Sequence, residues 1–234
     1  MYTQIVAHRG ASNIAPENTL PAFEQALQLA LDGVELDVRL SADGHPVVIH
    51  DRLLERTTSG SGPIDKLTLT ELRTLDAGAH FSDVFQGERI PLLSEVLDIV
   101  NGRLLVQIEM KGENNRLPGA IVNAANQHHT ASQTMITSFN LRLLRDIHHL
   151  SNAYRLGLLV SPIQDLSSDP KIRAAEMSTL ACSAKADVVL AHHSLIDLET
   201  VDEIKRLGMD IGVWTVDNAK DLLRMFALGV SSLT

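Results

Sequence analysis

Gly33-Val34-Glu35-Leu36-Asp37-Val38 decides how the rest of the chain is read. Val34, Leu36 and Val38 alternate with Glu35 and Asp37, the period of a β-strand whose side chains point to opposite faces. Three branched apolar residues bury one face, and the two acids share the other. Seven more short β-rich runs recur along the chain: Gln4–His8, Arg103–Met110, Thr134–Ser138, Arg155–Val160, Asp187–Ala191, Asp210–Val216 and Gly229–Thr234. Amphipathic or mixed segments separate most of them, at Thr19–Leu31, Leu92–Val100, Leu117–His128, Asn140–Leu150, Lys171–Ser183, Asp197–Leu207 and Asn218–Leu228. Leu20, Phe23, Leu27, Ala30 and Leu31 illustrate the helical stripe. Eight strands with helices between them predict a parallel α/β sheet. At 234 residues the chain has the size of a small (β/α)8 barrel forming one domain over 1–234. A doubly wound open sheet is the structural alternative.

Residues 39–91 interrupt the alternation. They hold a ninth strand candidate, Pro46–His50, a loop-rich stretch, Thr57–Pro63, and a short helix, Thr68–Leu75, opened by the capping box Thr68-Leu69-Thr70-Glu71. This excursion reads as an insertion after the second strand. Asp43-Gly44 within it reads as a two-residue hairpin turn. That register sets Ala42 opposite His45 and Asp37 opposite His50.

Composition excludes several classes. Twenty Lys and Arg against 29 Asp and Glu give a net charge of −9, and only 5 Phe, 2 Tyr and 1 Trp are present, so a nucleic-acid surface is not expected. The single cysteine, Cys182, rules out an intrachain disulfide or a Cys-rich metal site and reads as a small buried residue. No segment has the length and apolarity of a membrane span or the pattern of a signal peptide, starting from Met1-Tyr2-Thr3-Gln4, so a cytoplasmic protein without a membrane partner is expected.

The chemistry collects at strand ends, the functional edge of parallel α/β folds. His8-Arg9-Gly10 ends the first strand and offers a proton carrier beside a guanidinium fork suited to phosphate. Glu35 and Asp37 point one way into the fold, which is costly unless they are paired or bind a metal. Gln107-Ile108-Glu109-Met110-Lys111 adds a third carboxylate, with Lys111 on the same face as a phosphate or substrate ligand. Three hard oxygen donors suit one Mg²⁺ or Ca²⁺ better than Zn²⁺. His50-Asp51 supplies a second histidine, so His8 and His50 can share acid and base duties. Trp214, near the end of the seventh core strand, is either an apolar substrate wall or a core residue. His128-His129 and His148-His149 fall late in helices, where positive charge complements the helix dipole.

His8-Arg9-Gly10, Pro16-Glu17-Asn18-Thr19, Glu35-Leu36-Asp37-Val38, His50-Asp51, Leu75-Asp76-Ala77-Gly78, Ile108-Glu109-Met110-Lys111 and Val213-Trp214-Thr215-Val216 stand in an order that resembles the glycerophosphodiester phosphodiesterases. The resemblance implies a distorted TIM barrel of the phosphatidylinositol phospholipase C type. It implies hydrolysis of small glycerophosphodiesters to glycerol 3-phosphate and an alcohol, within glycerol and lipid metabolism. By motif, Glu35, Asp37 and Glu109 would bind one divalent cation, His8 and His50 would be the acid–base pair, Arg9 and Lys111 would hold phosphate, and Trp214 would touch substrate. Ser231-Ser232 replaces the family's usual Asp-Gly in the last strand, which predicts a short or weakly anchored closing strand. An oligomer is compatible with all of this. Two other functions compete: a Schiff-base aldolase-type barrel with Lys111 as nucleophile, and a barrel that binds phosphate without catalysis.

Overall fold

The computed structural model describes residues 2–234; Met1, the first residue of the N-terminal stretch considered above, lies outside the described residues. Strands and helices alternate in the order β1 (Gln4–Ala7), α1 (Leu20–Gln28), β2 (Gly33–Leu40), β3 (Pro46–Val48), α2 (Leu69–Leu72), α3 (Leu93–Val100), β4 (Leu105–Met110), α4 (Leu117–Gln127), β5 (Thr134–Ser138), α5 (Leu141–Leu150), β6 (Arg155–Val160), α6 (Pro170–Ala184), β7 (Val188–His192), α7 (Leu198–Arg206), β8 (Asp210–Trp214), α8 (Ala219–Leu228) and β9 (Ser232–Leu233). β5 and β6 fall where the sequence places them, and the other elements differ mainly by a few residues at their ends. Two compact units result, one of Ala7–Met135 and the other of Ile136–Thr234 with the N-terminal residues up to Val6.

In the Ala7–Met135 unit, β2 is buried on both faces, with Val34, Leu36 and Val38 fully shielded from solvent. It pairs in parallel with β4, and the register sets Glu35 beside Gln107 and Asp37 beside Glu109. α1 ends earlier than the sequence predicts. The Leu29 N–H is shared between the Gln25 and Leu27 carbonyls, and Ala30 turns to a φ of +51°. The face it buries is Ala22, Phe23 and Ala26, so small residues let the helix approach closely.

The hairpin corrects the sequence reading by one residue. β2 and β3 pair Leu40 with Pro46, Arg39 with Val47 and Val38 with Val48. The Ser41 N–H also donates to the His45 carbonyl (3.0 Å), which leaves three residues, Ala42, Asp43 and Gly44, as the loop. A two-residue type I′ turn needs positive φ at both central positions, and only Gly44 has it, at +89°. The Asp43 carboxylate instead accepts from Ser41 Oγ (2.6 Å) and from the Leu69 N–H (3.0 Å), tying the loop to the start of α2. Asp37 consequently lies opposite Ile49, whose N–H donates to its carbonyl (2.9 Å). His50 follows beyond the end of β3. The capping box on α2 is present, with Thr68 and Glu71 bonded reciprocally. Beneath it the excursion packs its own apolar cluster of Val47, Ile49, Leu54, Ile64, Leu72, Ala77 and Ile90.

In the other unit β6, β7, β8 and β9 run in parallel, with β1 alongside β9. Asn140, Asp169, Asp197 and Asn218 cap α5, α6, α7 and α8 by accepting backbone N–H groups. β9 is short, as its sequence suggests, but it is well anchored. Ser232 and Leu233 pair with Gln4 and Ile5 on one side and with Gly212 and Val213 on the other. Ser231 Oγ adds a bond to the Ile211 carbonyl (2.8 Å). The serines thus replace an Asp-Gly end with side-chain and ladder bonds. Cys182 is exposed rather than buried, because α6 turns its Ala174, Met177, Ala181 face inward. No helix among the described residues is long and apolar enough to cross a membrane.

Gly10 and Gly44 separate backbone strain from steric conflict. Both have positive φ, +77° and +89°. A Cβ on Gly44 meets nothing nearer than 3.6 Å, whereas one on Gly10 comes within 2.7 Å of the Ala22 backbone. Gly44→Ala should therefore cost about 1 kcal/mol of strain, and Gly10→Ala roughly 3 kcal/mol, near the upper end of ordinary single substitutions. Urea denaturation midpoints give the comparison; equal losses would show that the Gly10 loop yields freely.

Candidate active site

Three carboxylates assemble because of strand geometry. Glu35 and Asp37 lie two apart on β2, and Glu109 stands beside Asp37 on β4. One oxygen from each lies within 4.8 Å of the others, and all three residues are buried. Lys111, just past β4, places its Nζ 2.7 Å from Glu109 Oε1 and 3.1 Å from Asp37 Oδ1. Arg9 follows β1 in a left-handed turn at φ +59°, with Gly10 at +77°. This turn aims the Arg9 N–H at Glu35 Oε2 (3.0 Å) and sets its Nε 3.3 Å from Asp37 Oδ2. His8 Nε2 lies 3.9 Å from Glu35 Oε2. The side chains that the β2 and β4 alternation predicts on one face are therefore brought together, with His8 and Arg9 beside them.

The charges do not balance. Three carboxylates face two cations, Lys111 and Arg9, and Arg9 is shared with Glu17 (2.9 Å). Burial pushes Glu35 well above the usual carboxylate range, and repulsion from Asp37 and Glu109 adds to it. Burial likewise drives Glu109 up to about 7 against the pull of Lys111. Burial pushes Asp37 the same way, but Lys111, His50 and Arg9 outweigh it and hold Asp37 low. Asp37 Oδ1 is buried and accepts no hydrogen bond of good geometry. Hard oxygen donors, burial and a missing positive charge fit one divalent cation. Glu35, Asp37 and Glu109 can hold it.

His50 is organised from two sides. Arg39 Nε donates to its carbonyl (2.7 Å), and Asp51 Oδ1 lies 2.6 Å from its Nδ1. Its pKa falls below the usual histidine value: burial, with the charges of Lys111 and Arg9, outweighs the upward pull of Asp37 and Asp51. Asp51 is itself held down to about 2, chiefly by Arg56. Lys111 is raised, since Asp37 and Glu109 overcome its burial. A Schiff-base lysine needs the opposite shift, so the aldolase-type alternative loses its nucleophile.

Sequence reasoning missed three residues of this site. Asn18 donates from Nδ2 to Asp37 Oδ2 (2.8 Å) and accepts the Asp37 N–H (3.2 Å), so it fixes the carboxylate from both ends. Glu17 and Arg56 join the Arg9 and Asp51 sides. Pro16-Glu17-Asn18-Thr19 was legible as a motif, but its partners lie on other elements.

Trp214 ends β8 in the other unit. Its Nε1 donates to the Leu190 carbonyl (2.8 Å), and its ring meets Phe139 and His192 edge-on, at 5.4 and 5.3 Å. His128 lies 3.0 Å from Asp98, and His148 and His149 fall in the last turn of α5, as their helix-end positions suggest.

The glycerophosphoryl diester phosphodiesterase family model matches residues 8–234. The chain belongs to this family. A glycerophosphodiester phosphodiesterase from Caldanaerobacter subterraneus subsp. tengcongensis is 37% identical over 100% of this chain and 93% of its own. An Oleispira antarctica phosphodiesterase, solved with the product sn-glycerol-3-phosphate, is 31% identical with a TM-score of 0.88, over 98% of this chain and 91% of that one. An Agrobacterium tumefaciens glycerophosphodiester phosphodiesterase is 29% identical with a TM-score of 0.84, over 100% and 96%. These likenesses give the family member its fold, a TIM barrel, and decide against the open sheet.

The uncompensated charge makes a direct prediction. Glu35→Gln keeps an acceptor for the Arg9 N–H and removes an acid whose ionisation is opposed by burial and by Asp37 and Glu109. In chelator this variant should be more stable than the parent, by about 1 kcal/mol. A divalent cation at a hundredfold excess over its Kd should stabilise the parent by about 2.7 kcal/mol and the variant by clearly less. Thermal unfolding with and without Mg²⁺ or Ca²⁺ measures both. A parent that gains nothing from either cation would leave the carboxylates without that role.

Proposed function

We propose that this chain hydrolyses glycerophosphodiesters to sn-glycerol 3-phosphate and an alcohol, using one divalent cation, Mg²⁺ or Ca²⁺. The observation that carries the reading is the buried Glu35, Asp37, Glu109 cluster with His8, Arg9 and Lys111 against it and His50 within electrostatic reach of Asp37. Family membership and the product held by the Oleispira antarctica relative support the substrate class.

When bound, the cation supplies positive charge to phosphate oxygens and acidifies a hydroxyl. Arg9 and Lys111 hold the phosphoryl group from its remaining oxygens, the guanidinium through a planar fork and the ammonium as a point charge. His8 removes the proton of the attacking hydroxyl, which is either water, giving glycerol 3-phosphate directly, or the glycerol C2 hydroxyl of the substrate, giving a cyclic phosphate that water then opens to glycerol 3-phosphate. His50 returns a proton to the departing alkoxide. Its Nδ1 faces Asp51, so Nε2 is the nitrogen left for the substrate, and the ionised Asp51 supports the imidazolium that a proton donor requires. Burial weakens the hold of that imidazolium on its proton, which helps it act as an acid.

Release of glycerol 3-phosphate from choline, ethanolamine, glycerol and inositol diesters tests the reaction. Chelator should abolish turnover, and Mg²⁺ or Ca²⁺ should restore it; undiminished activity in metal-free buffer would overturn the reading.

A second measurement assigns the histidines. Loss of a general acid costs about 10²–10⁴-fold, and a nitrophenolate leaving group needs little protonation. His50→Ala should fail on an alkyl diester yet recover much of its rate on a glycerophospho-nitrophenyl ester, and His8→Ala should fail on both. The opposite pattern would exchange the two roles, and unimpaired variants would remove both histidines from the chemistry.

A further inference from the structure

Behind His50 runs a chain of charged side chains that the proposed reaction does not itself use. Asp51 accepts from Arg56 Nε through the oxygen that does not face His50. The two terminal nitrogens of Arg56 fork onto Glu17, each at 2.8 Å. Glu17 Oε1 also accepts from Arg9 NH1 (2.9 Å). All three guanidinium nitrogens of Arg56 are thus spent on two carboxylates. One carboxylate orients His50, and the other holds Arg9.

A surface ion pair alone has little energetic weight, and Arg56 is close to half exposed. Its geometry is the informative part. Glu17 precedes α1 and Asp51 follows β3, so this one guanidinium ties together two separate stretches of chain. A planar fork fixes direction as well as distance, and lysine cannot reproduce it.

We propose that Arg56 is a positioning residue that holds His50 and Arg9 in one common geometry, acting through Asp51 on the first and through Glu17 on the second. The proposal rests on the reading of His50 as proton donor and Arg9 as phosphate ligand. Losing the Asp51 arm frees the imidazole to turn away from the leaving oxygen. Losing the Glu17 arm loosens the phosphate grip. The two consequences fall on different kinetic constants, the first on kcat and the second on KM.

Steady-state kinetics in saturating Mg²⁺ separate them, on glycerophosphocholine and on a glycerophospho-nitrophenyl ester. Arg56→Met should lower kcat on the alkyl diester by about 10–10²-fold, the scale of a misplaced reacting group, should lose far less on the nitrophenyl ester, and should raise KM on both. Arg56→Lys should not restore kcat and KM together. Asp51→Asn should reproduce the leaving-group pattern with KM little changed, and Glu17→Gln should raise KM without that pattern. In a double-mutant cycle, Arg56→Met combined with His50→Ala should have the kcat of His50→Ala alone. Equal losses on both substrates, or multiplicative losses in the double variant, would make Arg56 a merely structural residue and overturn the proposal while His50→Ala stays impaired. A fully active His50→Ala would overturn the acid–base reading and this proposal with it.

Discussion

Three carboxylates buried within 4.8 Å of one another are the constraint to which the rest of the site answers. Mutual repulsion and desolvation make such a cluster costly. The surrounding structure offsets part of that cost: Lys111 lies against two of the acids, Arg9 gives its N–H to Glu35 and sets its guanidinium in an ion pair with Asp37, and Asn18 bonds Asp37 twice. The remaining negative charge gives a divalent cation its reason to bind. The left-handed backbone at Arg9 belongs to the same logic, since it is the turn that points the amide at Glu35.

That arrangement also explains why the proposed catalytic groups crowd this end of the strands. Parallel pairing of β2 and β4 sets Asp37 and Glu109 abreast. The hairpin then returns the chain past Asp37, and the Ile49 N–H bonds the Asp37 carbonyl, so His50 arrives beside the cluster just as the ladder ends. A side chain free of the strict alternation of a strand can be aimed by its own contacts. Arg39 and Asp51 do so here.

The sequence made the triad legible because strand alternation is a local rule: two acids at a spacing of two share a face whatever the partner. The same locality explains what escaped. The hairpin register turned on whether Asp43 took a positive φ, and its carboxylate is spent on Ser41 and Leu69 instead, the second of which is 26 residues away. Glu17 and Arg56 meet across 39 residues, so neither betrays its partner in a linear reading. Cys182 and the α1 stripe went astray because a mixed helix with many small residues has no unambiguous apolar face. The weakly anchored end expected from Ser231-Ser232 ignored the hydroxyl and ladder bonds that serines can make.

The site depends on a cation replacing the missing charge among Glu35, Asp37 and Glu109. A crystal of the chelated protein soaked in Mn²⁺, a stand-in for Mg²⁺ with a usable anomalous signal, tests this most directly. One anomalous peak ligated by all three carboxylates, with Lys111 withdrawn from at least one of them, is the predicted result. No peak at the cluster, with Lys111 still bridging Asp37 and Glu109, would contradict it.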